Sequence, residues 1–449
     1  MGKKRNLAAA GVCAAVLALT SGCLQDPNAS GGSSAGGVGG VIDGGTADGD
    51  KTVTLLGAFG GDEEKFFNES LKPFEDESGI DVQYTADTDF TTTVKQKVNS
   101  GDAPDIGMFP QPGGLLELAA DDKIQPIDTY LDYDELDRTL IPGFLDAARM
   151  NGRVYGAPMR MAVKSIVWYP TKAYDAGGYS KAPKSIRELT GIADKIKASG
   201  TPPWCMGWES DQATGWVGTD WIEEYVLRMY GPDVYDQWVA HEIPFNDERI
   251  VKAYDEFGKL VKTKGNVLGG VKGILNTPFG DAMTPAFDTP PKCYLHRQGN
   301  FATTFYPARV QKNIDTEVGI YAFPPFEGGY DGQPILGGGD IAALFNGNDK
   351  DAIEVMKFLT SDKFGAEWAK AGGWLSPHAT FDASNYPDET TRKIAKLASD
   401  ADIFRYDASD AMPKEVGSGT FWTGMVDWLD DSRTSKQATT DIEESWPAS

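Results

Sequence analysis

The chain has 449 residues, and its 66 Asp and Glu outnumber its 42 Lys and Arg, which gives a formal net charge of −24. Such an acidic protein repels phosphate backbones and anionic lipid head groups, so the charge argues against sequence-independent binding of nucleic acid. The few histidines and cysteines are not spaced as in zinc or iron sites, so we expect no such metal and no cofactor. Carboxylate sites for hard cations stay open. The length predicts two or three globular domains.

The first 22 residues are typical of a signal peptide. Three basic residues precede an apolar stretch over residues 7–20, and small residues follow it up to Cys23. As a helix this stretch would span about 21 Å, which is short of the ~30 Å hydrocarbon core of a bilayer. Residues 19–23 resemble a bacterial lipobox, in which Cys23 carries a diacylglycerol. We therefore expect a lipid-anchored protein on the outer face of the cell membrane, with secretion without lipid as the alternative.

Residues 23–50 are predicted to be the lipidated cysteine followed by a flexible tether. From residue 28 onward the composition is mostly Gly, Ser, Ala and Asp, with no aromatic residue, so this segment cannot bury enough apolar surface to order itself. A coil of this length reaches on the order of 30 Å. The tether would hold a globular body just off the membrane.

After removal of the signal peptide and lipidation of Cys23, two cysteines remain, Cys205 and Cys293. Exported proteins mature in an oxidising compartment, which favours a disulfide between them. Two separate buried thiols are the alternative.

From Lys51 the pattern alternates between short strands and amphipathic helices, which predicts an α/β fold with largely parallel strands. Strands are predicted at residues 53–56, 80–84 and 105–109. The first helix begins at Asp62 and ends at Gly79, with a kink expected at Pro73. Apolar residues recur every fourth position from Phe90 to Val98 and predict the second helix. Further helices are predicted at residues 186–198, 220–230, 248–262, 351–359 and 391–398.

Several motifs follow one another in a familiar order. They are residues 60–62, 78–80 and 101–106 near the start, residues 298–301, and residues 411–413 with Phe421 and Trp422 near the end. With this order over residues 51–446, the chain resembles the sugar-binding proteins of bacterial ABC importers, the maltose-binding-protein-like family. Residues 204–210 and 405–410 are similar to the α-glucoside-binding branch.

This resemblance implies a two-lobed fold, in which each lobe is a mostly parallel sheet flanked by helices and hinge strands join the lobes. The first lobe would comprise residues 51–163 and 324–372, and the second residues 164–323 and 373–449. The implied function is capture of a neutral oligosaccharide, an α-glucoside disaccharide, in the cleft between the lobes. A monomer would deliver it to the membrane-embedded permease of an ABC importer, without catalysis.

Pyranoses offer apolar faces to aromatic rings and hydroxyls to carboxylates and amides. The family positions imply stacking by Trp422, Phe109 and Phe301, and the tryptophans, all at or after Trp168, add Trp216 and Trp374. The polar candidates follow predicted strands or lie in glycine-rich loops and in residues 405–410. They are Asp62, Asp89, Gln111, Asp211, Gln212, Asp340, Arg405 and Asp410.

Two other functions stay open at this point. Net acidity would also suit a binding protein for a peptide, a polyamine or another cationic solute on the same scaffold. A secreted glycoside hydrolase would share the aromatic and acidic residues. Outside the glycine-rich tether the chain has no Gly-x-Ser-x-Gly, and it has no His-Glu-x-x-His and no phosphate-binding loop, which gives no support to other hydrolases or to nucleotide enzymes.

The Cys23→Ala variant tests the anchor. Without the sulfur that carries the lipid, we expect the protein to leave the membrane fraction for the medium or to stay as uncleaved precursor. Membrane fractionation and the mass of the intact protein measure this. A processed variant that stays in the membrane fraction would contradict the anchor.

Overall fold

The computed structural model describes residues 51–87 and 89–447 of the chain. The signal peptide, Cys23 and the tether predicted for residues 1–50 lie outside the described residues. Within them, strands and helices alternate. The strands are β1 (Thr52–Gly57), β2 (Asp81–Ala86), β3 (Ile106–Phe109), β4 (Arg149–Met150), β5 (Arg153–Val154), β6 (Ala157–Val163), β7 (Ile166–Pro170), β8 (His296–Arg297), β9 (Val318–Ala322), β10 (Pro334–Leu344) and β11 (Ile403–Tyr406).

Helices lie between these strands along the chain, and several short 3₁₀ turns connect neighbouring elements. The helices are α1 (Asp62–Ser78), α2 (Phe90–Ser100), α3 (Pro112–Ala120), α4 (Tyr133–Thr139), α5 (Thr171–Ala176), α6 (Ile186–Ala198), α7 (Trp216–Tyr230), α8 (Pro232–Val239), α9 (Glu248–Val261), α10 (Gly270–Asn276), α11 (Ala308–Gln311), α12 (Ile314–Glu317), α13 (Lys350–Leu359), α14 (Ala366–Ala371), α15 (Glu389–Ser399), α16 (Ala408–Ala411), α17 (Trp422–Leu429) and α18 (Ser435–Glu443).

The elements predicted at the start of the described residues are confirmed. Helix α1 begins at Asp62 and continues through Pro73 to Ser78, where Gly79 takes the left-handed conformation (φ 71°) that ends helices. The apolar residues of α2, from Phe90 to Val98, are buried at the predicted spacing. Of the later helices, α7 begins at Trp216 and not at Asp220.

The large sheet holds β11, β10, β3, β1 and β2 in that order, with β6 also paired to β10. The pairs β1–β2, β1–β3 and β10–β11 are parallel, whereas β10 is antiparallel to β3 and β6. The mixed α/β fold is confirmed. Because β1 and β3 are parallel, their carboxyl ends meet at one edge of the sheet, where ligands bind in such folds.

The small sheet holds β8, β7 and β9, and its pairs are antiparallel. Parallel pairing there is limited to isolated bridges, such as those from Trp204 to Val267 and Leu295. The second sheet was expected to be mostly parallel. Among the described residues it is antiparallel, and these bridges supply the parallel pairing. Two residues, Lys164 and Ser165, carry the chain directly from β6 in the large sheet to β7 in the small one.

The buried apolar side chains form two clusters. The larger hydrophobic cluster surrounds the large sheet, and the second hydrophobic cluster is built mainly from α6, α7, α9, α17 and α18. Residues from Trp374 to Tyr406 pack in the larger cluster, and β11 pairs with β10. The clusters therefore follow the expected lobe boundaries in part, and those boundaries stay a prediction.

Cys205 and Cys293 form a disulfide with a Cα–Cα distance of 5.4 Å, which confirms the predicted pair. Both residues are fully buried. None of the described helices combines the length and apolar character needed to cross a bilayer.

Replacing both cysteines, in the Cys205→Ala/Cys293→Ala variant, should lower the free energy of unfolding by about 4 to 5 kcal/mol, because the cross-link restricts the unfolded chain over a sequence separation of 88 residues. Denaturant unfolding of the variant and of oxidised wild type measures the difference. Reduced wild type is the control and should resemble the variant. Equal stability of all three samples would show that the cross-link does not stabilise the fold.

Candidate binding cleft

Two cavities lie next to each other and share Pro110 and Asp410 in their walls. Cavity 1 has a volume of about 690 Å³ and cavity 2 of about 900 Å³. These volumes fall within the range of small-molecule sites. We refer to the two cavities together as the cleft.

The cleft lies where the sheet geometry predicts. Pro110 and Gln111 follow the last residue of β3, and Asp62 begins α1 shortly after β1. The carboxyl ends of these two parallel strands therefore contribute walls to both cavities.

An aromatic wall borders cavity 2. The ring of Trp216 meets that of Phe279 edge-on at 5.2 Å between centroids and lies 6.2 Å from that of Phe301. The Trp216 indole N–H donates to the Ser210 hydroxyl at 3.0 Å, which fixes the ring. Phe305 packs on Phe279 and extends the wall. At 44 % exposure it is a large hydrophobic side chain that is open to solvent. This wall offers an apolar surface to a ligand.

Trp422 borders cavity 1 and begins α17 directly after a π-helical turn at Val416–Phe421. Gly215, which precedes Trp216, approaches it closely. A Cβ at Gly215 would lie 2.1 Å from the carbonyl oxygen of Trp422, and the φ of 117° also favours glycine. The absence of a side chain at Gly215 thus brings the two tryptophan-bearing helices together at the cleft.

Charged groups line cavity 2 from the side of the large sheet. The Arg160 guanidinium donates to Asp340 at 2.5 Å and to Glu63 at 2.6 Å. It also lies over the rings of Phe59 and Trp368, at 4.6 and 5.3 Å from their centroids. Burial raises the pKa of Asp340, although the charge of Arg160 opposes this. Arg160 is held rigidly and can present its remaining N–H groups to the cavity.

A buried lysine lies between carboxylates at the crossing from β6 to β7. The Lys164 ammonium donates to Asp220 at 3.0 Å and also to Asp407. Its nitrogen lies 5.4 Å from the centroid of the Trp216 ring. Glu223 and Asp410 complete what we call the Lys164 cluster. Lys164 and Asp410 also line cavity 2, so this cluster meets the cleft.

The Lys164 cluster has one ammonium for four carboxyl groups. Burial, followed by the charges of Asp407 and Asp220, raises the pKa of Glu223. Burial raises the pKa of Asp220 to about 6 against the attraction of Lys164. One oxygen of Glu223 accepts from the Ser409 N–H at 3.0 Å, and the other has no hydrogen-bond partner among the described residues. Asp220 and Glu223 therefore retain protons to higher pH than exposed carboxyl groups do.

Oxygens of Asp220, Glu223 and Asp407 lie within 4.8 Å of one another, a spacing that suits a cation. The Lys164 ammonium already bonds to two of the three, and we assign the cluster to this lysine and not to a metal. A separate buried group lies behind it, where Glu224 pairs with Arg228 and Arg297 at 2.8 and 2.9 Å. Burial alone would raise the pKa of Glu224, but the two arginines lower it.

Most of the site residues predicted from the sequence line the cleft. Cavity 1 is lined by Asp89, Gln111, Gln212, Asp410 and Trp422. Cavity 2 is lined by Asp62, Trp216, Phe301, Asp340 and Asp410.

Phe109 and Trp374 lie elsewhere, and their predicted positions in the cleft are corrected. Phe109 is 2 % exposed and packs edge-on against Phe90 at 5.1 Å, because β3 lies between β1 and β10 and is covered on both faces. Trp374 is 1 % exposed and packs on Phe364 and Phe381. Both rings belong to the larger hydrophobic cluster.

Arg405 and Asp211 also fall outside the cleft lining. Arg405 donates from Nε and Nη2 to Asp236, at 2.6 and 2.7 Å. It also donates from Nη1 to the Phe404 carbonyl and lies 3.5 Å from Asp146, so its guanidinium is paired with groups outside the Lys164 cluster. Asp211 is exposed and begins a 3₁₀ turn, and its neighbour Gln212 reaches cavity 1 instead.

Three features at the cleft were not predicted from the sequence: Arg160, Lys164 and the acidic residues of α7. A signal was present, because two cations, Arg160 and Lys164, stand among the mostly apolar residues 157–170. Similarly, Asp220, Glu223 and Glu224 recur at i, i+3 and i+4, so they share one face of α7 among apolar and aromatic residues. Charged residues in such surroundings are paired when buried.

Residues 60–366 match the family described as bacterial extracellular solute-binding protein. The chain belongs to this family. It is 43 % identical over 397 residues to the osmoprotective compounds-binding protein GgtB of Synechocystis, covering 88 % of this chain and 93 % of that one. It is 31 % identical to the alpha-glucosides-binding periplasmic protein AglE of Rhizobium meliloti, covering 88 % and 87 %.

The fold also resembles solved structures. The bacterial solute receptor AcbH, which prefers β-D-galactopyranose, superposes with a TM-score of 0.73 at 17 % identity, covering 88 % of this chain and 96 % of that one. The chain is thus an extracellular solute-binding protein of an ABC importer with the two-lobed fold of that family. Its relatives bind solutes and are not enzymes, which removes the glycoside hydrolase alternative.

The Glu223→Gln variant tests the protonation of the Lys164 cluster. The native pKa of Glu223 is raised above its unfolded value, so its contribution to stability is fully present below the unfolded pKa and is lost as pH rises through the native pKa. Wild type should therefore lose stability with rising pH relative to the glutamine variant, by at most about 1.4 kcal/mol per pH unit.

Melting temperatures of both proteins between about pH 5 and 9 measure this difference. We expect the melting temperature of the variant, relative to wild type, to rise with pH. A difference that stays constant or falls would contradict protonation of Glu223.

Proposed function

We propose that this solute-binding protein captures a neutral α-glucoside of disaccharide size in the cleft and delivers it to the permease of an ABC importer. The observation that carries the proposal is the pair Trp216 and Trp422, on helices brought together at Gly215, with carboxyl and amide groups in the walls of the same two cavities. Aromatic rings stack on the apolar faces of a pyranose, and carboxylates and amides bond to its hydroxyls.

The proposed ligand contacts follow the cavity walls. In cavity 1, Trp422 supplies a stacking ring, and Asp89, Gln111 and Gln212 supply polar groups. In cavity 2, Trp216 and Phe301 supply the aromatic surface.

Asp62, Asp340 and Asp410 supply carboxyl groups from the walls of cavity 2. Because Asp340 is paired with Arg160, a ligand hydroxyl would contact the pair and not a free carboxylate.

The relatives support this ligand class. AglE is named for alpha-glucosides and GgtB for osmoprotective compounds, so a small neutral glycoside used as an osmoprotectant is consistent with both names. The protein acts as a monomer held at the outer face of the membrane by the lipid on Cys23. Its two expected lobes close over the sugar by bending where the chain crosses between the sheets.

A cationic solute is the second candidate, and the excess of carboxyl groups in the Lys164 cluster favours it. Calorimetric titration separates the two. We expect maltose, trehalose or another α-glucoside to bind without turnover, and spermidine and short peptides not to bind. Binding of spermidine with no response to any glucoside would overturn the proposal.

The Trp422→Ala variant tests the site. Loss of one stacking ring should raise the dissociation constant about tenfold to hundredfold, since burying an aromatic side chain contributes roughly 1.5 to 3 kcal/mol to the free energy of binding. Trp446→Ala is the matched control, because this half-buried tryptophan stacks on His241 and does not line the cleft.

Both variants are titrated with the tightest α-glucoside, and their melting curves are recorded. Unchanged affinity in Trp422→Ala, or an equal loss in Trp446→Ala, would contradict the placement of the site.

A further inference from the structure

Asp410 is the carboxyl group that borders both cavities. It lies on α16, half-buried, and its backbone N–H donates to Asp407 at 2.9 Å. Any ligand that extends from cavity 1 into cavity 2 passes this side chain. The chemical form of Asp410 therefore affects which ligands the cleft accepts.

The charged groups around Asp410 are mostly acidic. Helix α7 presents Asp220 and Glu223, and the crossing from β6 to β7 presents Lys164. Asp407, directly before α16, accepts the backbone N–H of Asp410 at 2.9 Å, which holds the two acidic residues next to each other. Farther off, the walls of the cleft hold Asp89, Lys95, Glu117 and Lys414 in cavity 1 and Asp62, Glu63, Arg160, Asp340 and Asp388 in cavity 2.

The Lys164 ammonium, the one cation of the Lys164 cluster, already bonds to carboxylates other than Asp410. Lys164 donates to Asp220 and Asp407 and makes no ion pair with Asp410 among the described residues. Neighbouring buried carboxyl groups cannot all ionise cheaply, and Asp410, to which the ammonium does not donate, is the one placed to keep a proton. Burial, then the charge of Asp407, raises the pKa of Asp410 in agreement with this arrangement.

We propose that Asp410 keeps a proton in the ligand-free cleft and donates a hydrogen bond to an oxygen of the bound glycoside, so that it selects neutral ligands over cationic ones. This inference rests on the proposed function. A protonated carboxyl group is a donor with no net charge, so it gives a sugar oxygen a partner and gives an ammonium ligand no counter-charge.

Infrared spectroscopy tests the proton directly. Wild type at about pH 7 should show the C=O stretching band of a protonated carboxyl group that is missing in Asp410→Asn and that shifts when maltose or trehalose is added. Glu223→Gln is the matched control, because Glu223 is fully buried and does not line the cleft. It should leave the ligand-sensitive band in place. Identical carboxyl bands in wild type and Asp410→Asn would overturn the inference.

Calorimetry tests the direction of the hydrogen bond. Asp410→Asn keeps a neutral donor and should bind the same sugar within about threefold of wild type, whereas Asp410→Ala should bind about threefold to tenfold more weakly. A loss of tenfold or more in Asp410→Asn would mean that an ionised Asp410 accepts from the sugar, which overturns the inference. If wild type binds no glucoside, the proposed function fails, while the infrared band still decides whether Asp410 is protonated.

Discussion

The structure depends on one buried lysine at the point where the chain passes between the sheets. Lys164 and Ser165 join β6 to β7, and the Lys164 N–H bonds to the Leu336 carbonyl of β10 at 2.8 Å. Its ammonium reaches Asp220 on α7 and Asp407 before α16, and Ser165 donates to Glu224. A buried charge without partners is costly, so these contacts fix the large sheet relative to the helices of the second cluster. The cleft forms beside this junction.

Local pattern was enough to predict much of the fold. The strand and helix near the start were visible because Val53 and Leu55 alternate and because Phe90 to Val98 repeat at helical spacing. Pairing between distant strands leaves no such local mark. For this reason the sequence did not reveal that β10 pairs with β3, β6 and β11, or that the small sheet is antiparallel. The disulfide was predictable, because loss of the signal peptide and lipidation of Cys23 would leave two cysteines, and an oxidising compartment favours their pairing.

The site was predicted less completely, for physical reasons that differ between residues. Asp62 and Gln111, which line the cleft, were predicted there because polar residues that follow parallel strands face a cleft, and their contact with a ligand stays a prediction. Phe109 was misplaced because an aromatic residue at a strand end fits a core and a cleft equally well, and only the neighbouring strands decide. Arg405 was misplaced because its partner, Asp236, is distant in sequence. Buried Lys164 likewise depends on distant partners, Asp220 on α7 and Asp407 before α16, that no local spacing shows.

The central claim is that a neutral α-glucoside lies in the cleft between Trp216 and Trp422, next to the Lys164 cluster. A crystal structure of the protein grown with the α-glucoside that binds most tightly tests this most directly. The account predicts sugar density in both cavities, with a pyranose face against Trp422 and an oxygen within hydrogen-bond distance of Asp410. Sugar bound at another surface, with the cleft holding only water, would contradict it.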